Sequence, residues 1–273
     1  MTRPGKVRRG RLRHYRTRRS LALFSMALPG LLYIFIFKYL TMFGVVVAFK
    51  NYRTADGIFG SQWVGFKNFQ FLFGTDLIWR AIRNTLLLQS VFIVVGLCVS
   101  LVIAILVYEI YTSIWTRFYQ TTLFFPQFIS WVLVGYFVFA LLNEDGLVNN
   151  VLTLVGLSPL DWYRSPQYWP FILTFAALWK GAGIGSLLYL AGMLGIDPQL
   201  YEAARIDGAS KWQEIRHITL PLLLPIIIIN LLIAIGGVFN ADFGLFFQVT
   251  RNSPTLYPTT DVMDTFIYRS LLQ

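Results

Sequence analysis

The sequence predicts an all-α bundle of membrane-crossing helices, and three observations carry that prediction. First, 56% of the 273 residues are hydrophobic and only 13% are charged, against roughly 25% charged in an ordinary soluble domain. With a mean hydropathy of +0.60, the chain has too few polar groups to cover a water-facing surface. Second, the apolar residues gather into five stretches, each long enough to cross a hydrocarbon core that takes about 20 residues of helix. Third, nine of the 23 basic residues fall within the first twenty positions, where there is no acid. Removing those nine from the net charge of +10 leaves +1. The positive charge therefore describes a basic tail ahead of a nearly neutral membrane domain, and no nucleic-acid partner is expected.

The first stretch, about 21–49, contains Pro29, Gly30 and Lys38. It is too long for the apolar region of a signal peptide and no small-x-small cleavage site follows, so it reads as an uncleaved span. Lys38 lies seventeen residues beyond Leu21, where its stem can carry the ammonium to the interface. Four further spans are expected at about 85–108, 118–142, 169–195 and 220–243. The chain thus divides into a basic tail, 1–20, and a membrane domain, 21–273, with a polar loop at 196–219.

Orientation follows from the excess of lysine and arginine on the cytoplasmic side. With the N-terminus inside, that side holds the tail, Arg117, Arg205, Lys211 and Arg216; the other side holds Lys50, Arg53, Lys67, Arg80, Arg83, Arg164, Arg251 and Arg269. The tail decides the comparison, and it also suits anionic lipid. Trp63, Phe66, Phe69, Trp162, Tyr163, Tyr168 and Trp169 supply aromatics for the outer interface. Five spans from an inside start leave the last residue, Gln273, outside.

Catalytic chemistry is not expected. The one cysteine, Cys98, sits in an apolar run, and His14 and His217 are the only histidines, so neither a disulfide nor a metal site is foreseen. Gly-rich phosphate loops and the common nucleophile and zinc motifs are missing from the sequence. Energy must then come from a partner or an ion gradient.

The informative segment is 197–221. Asp197 suits a helix N-cap, with Pro198 at the first helical position, where its missing N–H costs nothing. A short helix through Glu202, Ala203 and Ala204 should end at Gly208 in a left-handed cap. Ser210 and Gln213 have the spacing of a capping box, which would start a second short helix through Trp212, Ile215 and Ile218. Neither helix is long enough to stand alone in water, so the loop reads as an element built to dock.

Ionisable groups at membrane depth are functional candidates by default. Lys180 lies near the middle of the fourth span, on a stripe with Ala176, Gly183 and Leu187. Ala177, Gly181 and Gly185 form a second, small-residue seam suited to helix packing, which would leave the Lys180 stripe facing a polar cavity or a carboxylate on a partner helix. Lys180 is thus a candidate for lining a path across the membrane, and Asn240 and Asp242, near the outer end of the fifth span, are weaker candidates of the same kind. Phe124, Phe125 and Phe128 are further candidates, as rings on which a ligand could stack, although such residues more often pack or face lipid.

Glu202-Ala203-Ala204, three residues, Gly208, nine residues, Ile218, one residue and Leu220-Pro221 resemble, without a gap, the EAA loop of the permease subunits of binding-protein-dependent ABC importers. Trp63-Val-Gly-Phe-Lys-Asn-Phe69, Tyr189-Leu-Ala-Gly192 and Ile206-Asp-Gly-Ala-Ser210 are similar to the carbohydrate branch of that family. Phe37-Lys-Tyr39 and the run Thr260–Arg269 resemble its polysaccharide and oligosaccharide permeases, the alginate type among them. The resemblance covers nearly the whole chain from about Pro29.

The resemblance implies a type I importer permease that hydrolyses nothing itself. Glu202, Ala203, Ala204, Asp207, Gly208, Ile218, Leu220 and Pro221 would couple it to two ATPase subunits, which bind ATP and magnesium; no cofactor is held by this chain. It further implies a second permease subunit, different in sequence, an extracytoplasmic sugar-binding protein and a place in the bacterial inner membrane. An acidic oligosaccharide is the expected cargo, from the polysaccharide-type features together with Lys180. The family commonly has six core spans, so a sixth is expected beyond the end of this sequence. The alternative is a secondary transporter driven by an ion gradient, for which inverted repeats, interrupted helices and several intramembrane carboxylates would be expected; the sequence offers no internal repeat and a single acid near a span end.

Overall fold

A computed structural model describes residues 23–111 and 114–272. The basic tail, 1–20, lies outside the described residues. Five helices are long and apolar enough to cross a membrane, at Leu23–Phe49, Asp76–Glu109, Trp131–Leu154, Pro166–Leu194 and Lys211–Gly236. At most 28% of any of their apolar windows is buried within the chain. Most of their apolar surface therefore faces outward, as lipid or a partner subunit requires.

The described residues divide into two compact units, one up to Thr75 and one from Asp76 onward. In the first, the helix of Leu23–Phe49 loosens into a π turn at Phe35–Leu40, which contains Lys38, and ends in a 3-10 turn at Phe43–Phe49. A two-residue antiparallel ladder follows, Lys50 opposite Trp63 and Asn51 opposite Gln62. Phe49 stacks on Trp63 with ring centroids 5.7 Å apart and meets Phe66 and Phe69 at 5.5 and 5.2 Å. Asn68 Nδ2 donates to the Ala48 and Lys50 carbonyls at 2.9 and 3.0 Å. The Trp63–Phe69 run thus gathers its rings around Phe49, with Trp63 and Phe66 still 61% and 69% exposed.

In the second unit, the second span (Asp76–Glu109) packs along the fourth (Trp169–Leu194). The second span begins nine residues before the apolar run does, because Asp76, Arg80, Arg83 and Asn84 are helical as well. One core cluster gathers Leu88, Val134, Trp169, Leu173, Phe246 and Val249; another gathers Ala104, Val107, Tyr189, Met193 and Leu223 beside the 197–221 loop.

The third and fifth spans depart from the single helices expected. The third is broken: a helix at Thr116–Phe124, a 3-10 turn at Phe125–Phe128, extended backbone at Ile129 and Ser130, then a helix at Trp131–Leu142. Pro126 has no N–H to continue the first helix, and Ser130 caps the second by accepting from Leu133 N at 3.4 Å. The fifth starts nine residues earlier than expected, at Lys211, and stops at Gly236, seven residues short of Phe243. After a break, a π turn at Leu245–Val249 lies against Trp131–Leu142, so closely that a Cβ on Gly135 would come within 2.6 Å of the Gln248 carbonyl oxygen.

Where a sixth span would begin, a helix runs from Met263 to Leu272. Its start is pinned by Asp261, which is 1% exposed and ion-paired with Arg80 at 3.0 Å and with Arg269. Met263 N also donates to Thr85 Oγ1 at 2.9 Å. Arg80 and Arg269, read from sequence as outer-loop charges, are structural partners of one buried acid.

Candidate functional site

The 197–221 segment is built by its caps. Asp197 accepts from Gln199 N at 3.0 Å, and Pro198 opens a helix that runs to Ile206. Gly208 turns the chain with φ of +81°, while Gly208 N and Ala209 N donate back to the Arg205 and Ala204 carbonyls at 3.1 and 2.9 Å. A left-handed residue at this position is where glycine has no Cβ penalty. Ser210 and Gln213 then form the expected capping box.

Beyond that box the structure corrects the expectation of a second short helix. Lys211–Glu214 continues through a π turn at Ile215–Thr219 into Leu220–Gly236, so Ile218, Leu220 and Pro221 lie in the first turns of the fifth span. Pro221 cannot donate to the carbonyl one turn back, and the helix widens over the residues just before it.

One side of the loop is fastened to the bundle. Tyr201 is buried, and its hydroxyl shares a 3.0 Å hydrogen bond with Thr219 Oγ1. Its ring lies 6.2 Å from that of Tyr108, and burial raises its pKa above the usual tyrosine value. Arg205 donates to both oxygens of the buried Glu214 at 2.8 and 3.3 Å, and this hydrogen bonding to a carboxylate raises its pKa. Lys211 reaches Glu214 at 3.4 Å and Glu109, the last residue of the second span, at 3.0 Å. The helix at 198–206 is thereby tied to the ends of two spans.

The other side is bare. Glu202, Ala203, Asp207 and Gly208 are exposed and Ala204 is half-buried. Ile206 is 86% exposed and Trp212 65%. Two large apolar side chains standing in solvent beside a polar corner mark a surface meant to be covered. The fastening residues Tyr201, Glu214 and Thr219 were not singled out from sequence; the only local hint was an acid, Glu214, amid the basic run Lys211–His217.

The second constellation sits at the breaks in the third and fifth spans. Lys180, only 9% exposed, donates to the Gln127 carbonyl at 2.9 Å and to that of Ile129, acceptors the broken third span leaves open. Its ammonium lies 5.1 Å from the Trp131 ring, and Trp131 Nε1 donates to Asp242 Oδ2 at 2.6 Å. Asp242 Oδ1 accepts from Leu245 N at 3.3 Å, and Asn240 offers its carbonyl to Gln89.

This corrects the expected facing of the fourth span. Ala176, Lys180 and Gly183 point into the protein, and a Cβ on Gly183 would overlap the Leu123 carbonyl. Gly181 has open space instead of a packed neighbour, and Gly185 lines a cavity of about 330 Å³ with Ser100, Tyr189 and Asn230. The seam is therefore split, with Gly181 open while Ala177 packs against the core and a Cβ on Gly185 would come within 2.6 Å of Ser100 Oγ. The stripe is split too, with Ala176, Lys180 and Gly183 packed and Leu187 40% exposed. Phe125 and Phe128 are 62% and 81% exposed, and Phe124 is half-buried.

Residues 96–247, which include the loop and the Lys180, Trp131 and Asp242 constellation, match the family described as the binding-protein-dependent transport system inner membrane component. The chain belongs to this family.

The permease is 33% identical over 252 residues to the polygalacturonan/rhamnogalacturonan transport system permease protein YteP of Bacillus subtilis, covering 92% of this chain and 78% of that one. It is 28% identical to the sulfoquinovosyl glycerol transport system permease protein SmoG of Agrobacterium fabrum, over 90% and 79% of the two chains. A chain in the crystal structure of a bacterial ABC transporter involved in the import of the acidic polysaccharide alginate superposes with a TM-score of 0.85 at 35% identity, over 96% of this chain and 88% of that one. A second structure of such a transporter, in complex with an alginate pentasaccharide-bound periplasmic protein, gives 0.84 at 35% identity, over 94% and 85%. The permease is thus a multi-pass transport component of the inner membrane. Family membership decides against the ion-gradient alternative, even though interrupted spans, which that alternative called for, are present in the third and fifth.

Proposed function

We propose that the permease is one half of a two-subunit pore, paired with a permease of different sequence, that imports an acidic oligosaccharide at the expense of ATP hydrolysed by two partner ATPases. The 197–221 loop lies on the cytoplasmic side, with the N-terminus, and seats in the ATPases. The observation that carries this reading is the loop's two-sidedness. Tyr201 and Arg205 hold it to the second and fifth spans, while Ile206, Gly208 and Trp212 stay uncovered. A push on the bare side is therefore delivered to two spans at once, which is what a joint between an ATPase and a pore requires.

Glu202, Ala203, Ala204, Asp207 and Gly208 form the docking edge, and Ile218, Leu220 and Pro221 join it to the fifth span. The breaks at Ser130 and Asp242 give the pore wall two points at which it can bend. Asn240 and Asp242, exposed at one of them, border the sugar path, and Lys180 acts there by holding the broken third span. A binding protein delivers the sugar at the opposite end; this is supported by the relatives' substrates and by the periplasmic protein in the alginate complex.

The test is reconstitution of the permease with its partner subunits in vesicles, supplied with binding protein and a panel of neutral and acidic oligosaccharides. Uptake of an acidic oligosaccharide that needs ATP and the ATPases is expected. Uptake driven by an ion gradient without them would contradict the proposal.

A further inference from the structure

At the end of the bundle away from the 197–221 loop, a cavity of about 380 Å³ opens between the outer half of the third span and the segment after the fifth. Gly135, Tyr136, Phe247, Gln248, Arg251 and Asn252 line it. We propose that this cavity is a binding site for one carboxylate-bearing sugar unit, with Arg251 as the carboxylate ligand; the proposal rests on the acidic-oligosaccharide reading above and locates a contact for it.

Four features of the cavity point to that ligand. The Arg251 guanidinium lies 4.0 Å from the centre of the Phe139 ring, and it has no carboxylate within ion-pair distance among the described residues. Stacking on a ring orients a guanidinium and leaves its N–H edge free, the geometry that receives a carboxylate through two parallel hydrogen bonds. Of the acids at this end, Glu144, Asp145 and Asp161 line a separate cavity with Phe139 and Tyr163, Asp261 is paired with Arg80 and Arg269, and Asp242 accepts from Trp131.

Next, the polar side chains around Arg251 are unspent. Tyr136 is 65% exposed, and neither its hydroxyl nor the Gln248 amide has a hydrogen-bond partner among the described residues. A hydroxyl and an amide both donate and accept, which suits sugar hydroxyls. The rings of Tyr136 and Phe247 supply apolar faces for the C–H side of a sugar.

The backbone is also strained where the arginine is presented. Arg251 and Asn252 have φ of +56° and +49°, a conformation that asparagine tolerates and arginine rarely adopts. It is held by Asn252 N donating to the Phe247 carbonyl at 3.0 Å, and by Asn252 Oδ1 accepting from Tyr257 and Arg269 at 3.1 and 3.2 Å. Strain that the surroundings enforce, at a residue with an unused charge, is the pattern of a functional position.

Finally, Gly135 brings the Gln248 backbone against the third span, so the floor is made of main chain and the arginine stands at the rim. The cavity is also in the size range of small-ligand sites.

The experiment uses the complete complex in vesicles, with trigalacturonate as probe and Arg251→Gln and Arg251→Lys as variants. Arg251→Gln is expected to slow trigalacturonate uptake by about tenfold or more, the fold-change of losing at least one of the two charge-assisted hydrogen bonds, and Arg251→Lys to restore part of it. ATPase stimulation by sugar-free binding protein should stay at the wild-type level in both. Unchanged uptake in Arg251→Gln would overturn the proposal. So would a matching loss of stimulation by sugar-free binding protein, which would make Arg251 a contact for that protein. A wild-type complex that imports neutral but no acidic oligosaccharides would instead remove the acidic-cargo reading itself.

Discussion

Substituting Gly208 separates the internal energetics of the loop from its docking. Its φ of +81° places it in the left-handed region, and nothing lies within 4 Å of a Cβ added there. An alanine at 208 therefore meets no steric clash within the chain. Its cost is the backbone term alone, about 1–2 kcal/mol, or roughly a five- to thirtyfold shift in the local opening equilibrium. Asparagine, which tolerates this conformation, should cost less than alanine, and a β-branched valine more. Hydrogen exchange at the Ala209 amide, which donates to the Ala204 carbonyl at 2.9 Å, reads this opening directly. The expected order is Gly, Asn, Ala, Val, with membrane insertion unchanged throughout. Equal exchange in all four proteins, or faster exchange with asparagine than with valine, would refute the reasoning. Because the open space at 208 is where a partner would come, bulk there should stop uptake even in a variant whose loop remains closed.

Charge reversal at either member of the Arg205–Glu214 pair should lower ATP-driven uptake, and the double swap Arg205→Glu with Glu214→Arg should recover part of it; a swap no better than either single variant would show that the pair does not act as a unit. Lys180→Met leaves the Gln127 and Ile129 carbonyls without their donor, so the detergent-solubilised protein should lose on the order of 2 kcal/mol; an unshifted melting curve would mean the break needs no support from Lys180. Asp261→Ala strands Arg80 and Arg269, which are 29% and 18% exposed, and should cost about 3–5 kcal/mol. That loss should appear as faster exchange at the Met263 amide, and protection equal to wild type would count against the buried acid as the anchor of the 263–272 helix. Gly183→Val should prevent correct packing of the fourth span against Leu123, and an unaltered expression level and melting curve would argue against that close approach.

Hydropathy made the first, second and fourth spans legible, with all three C-terminal ends placed within one residue of where the structure has them. It could not register the break in the third, because Ile129 is apolar and the interruption is two residues long; Pro126 was the visible sign. The start of the fifth was hidden by the polar turn Lys211–Glu214 and its end by apolar residues beyond Gly236. The loop was the most legible part. Asp197, Gly208, Ser210 and Gln213 are read by local chemistry, and each sits in the cap or turn expected. What fastens the loop was not legible, since Arg205, Glu214 and Glu109 meet through tertiary structure. That Lys180 would be buried against main-chain carbonyls was not legible for a related reason. Small residues marked a packing seam, but the tightest approach, Gly183 on the Leu123 carbonyl, depends on how the helix ahead of the third-span break is placed.

The most direct test of the central claim is a cross-link from the bare side of the loop. Cys98 is the only cysteine and can be removed as Cys98→Ser. A cysteine introduced as Ile206→Cys then stands where 86% of the side chain is exposed. In the assembled complex it should cross-link to an ATPase subunit, with a yield that changes on adding ATP. A cysteine introduced as Leu157→Cys, at the opposite end and also exposed, should give no such product. No ATPase adduct from position 206, or one from position 157 instead, would contradict the coupling role of the loop.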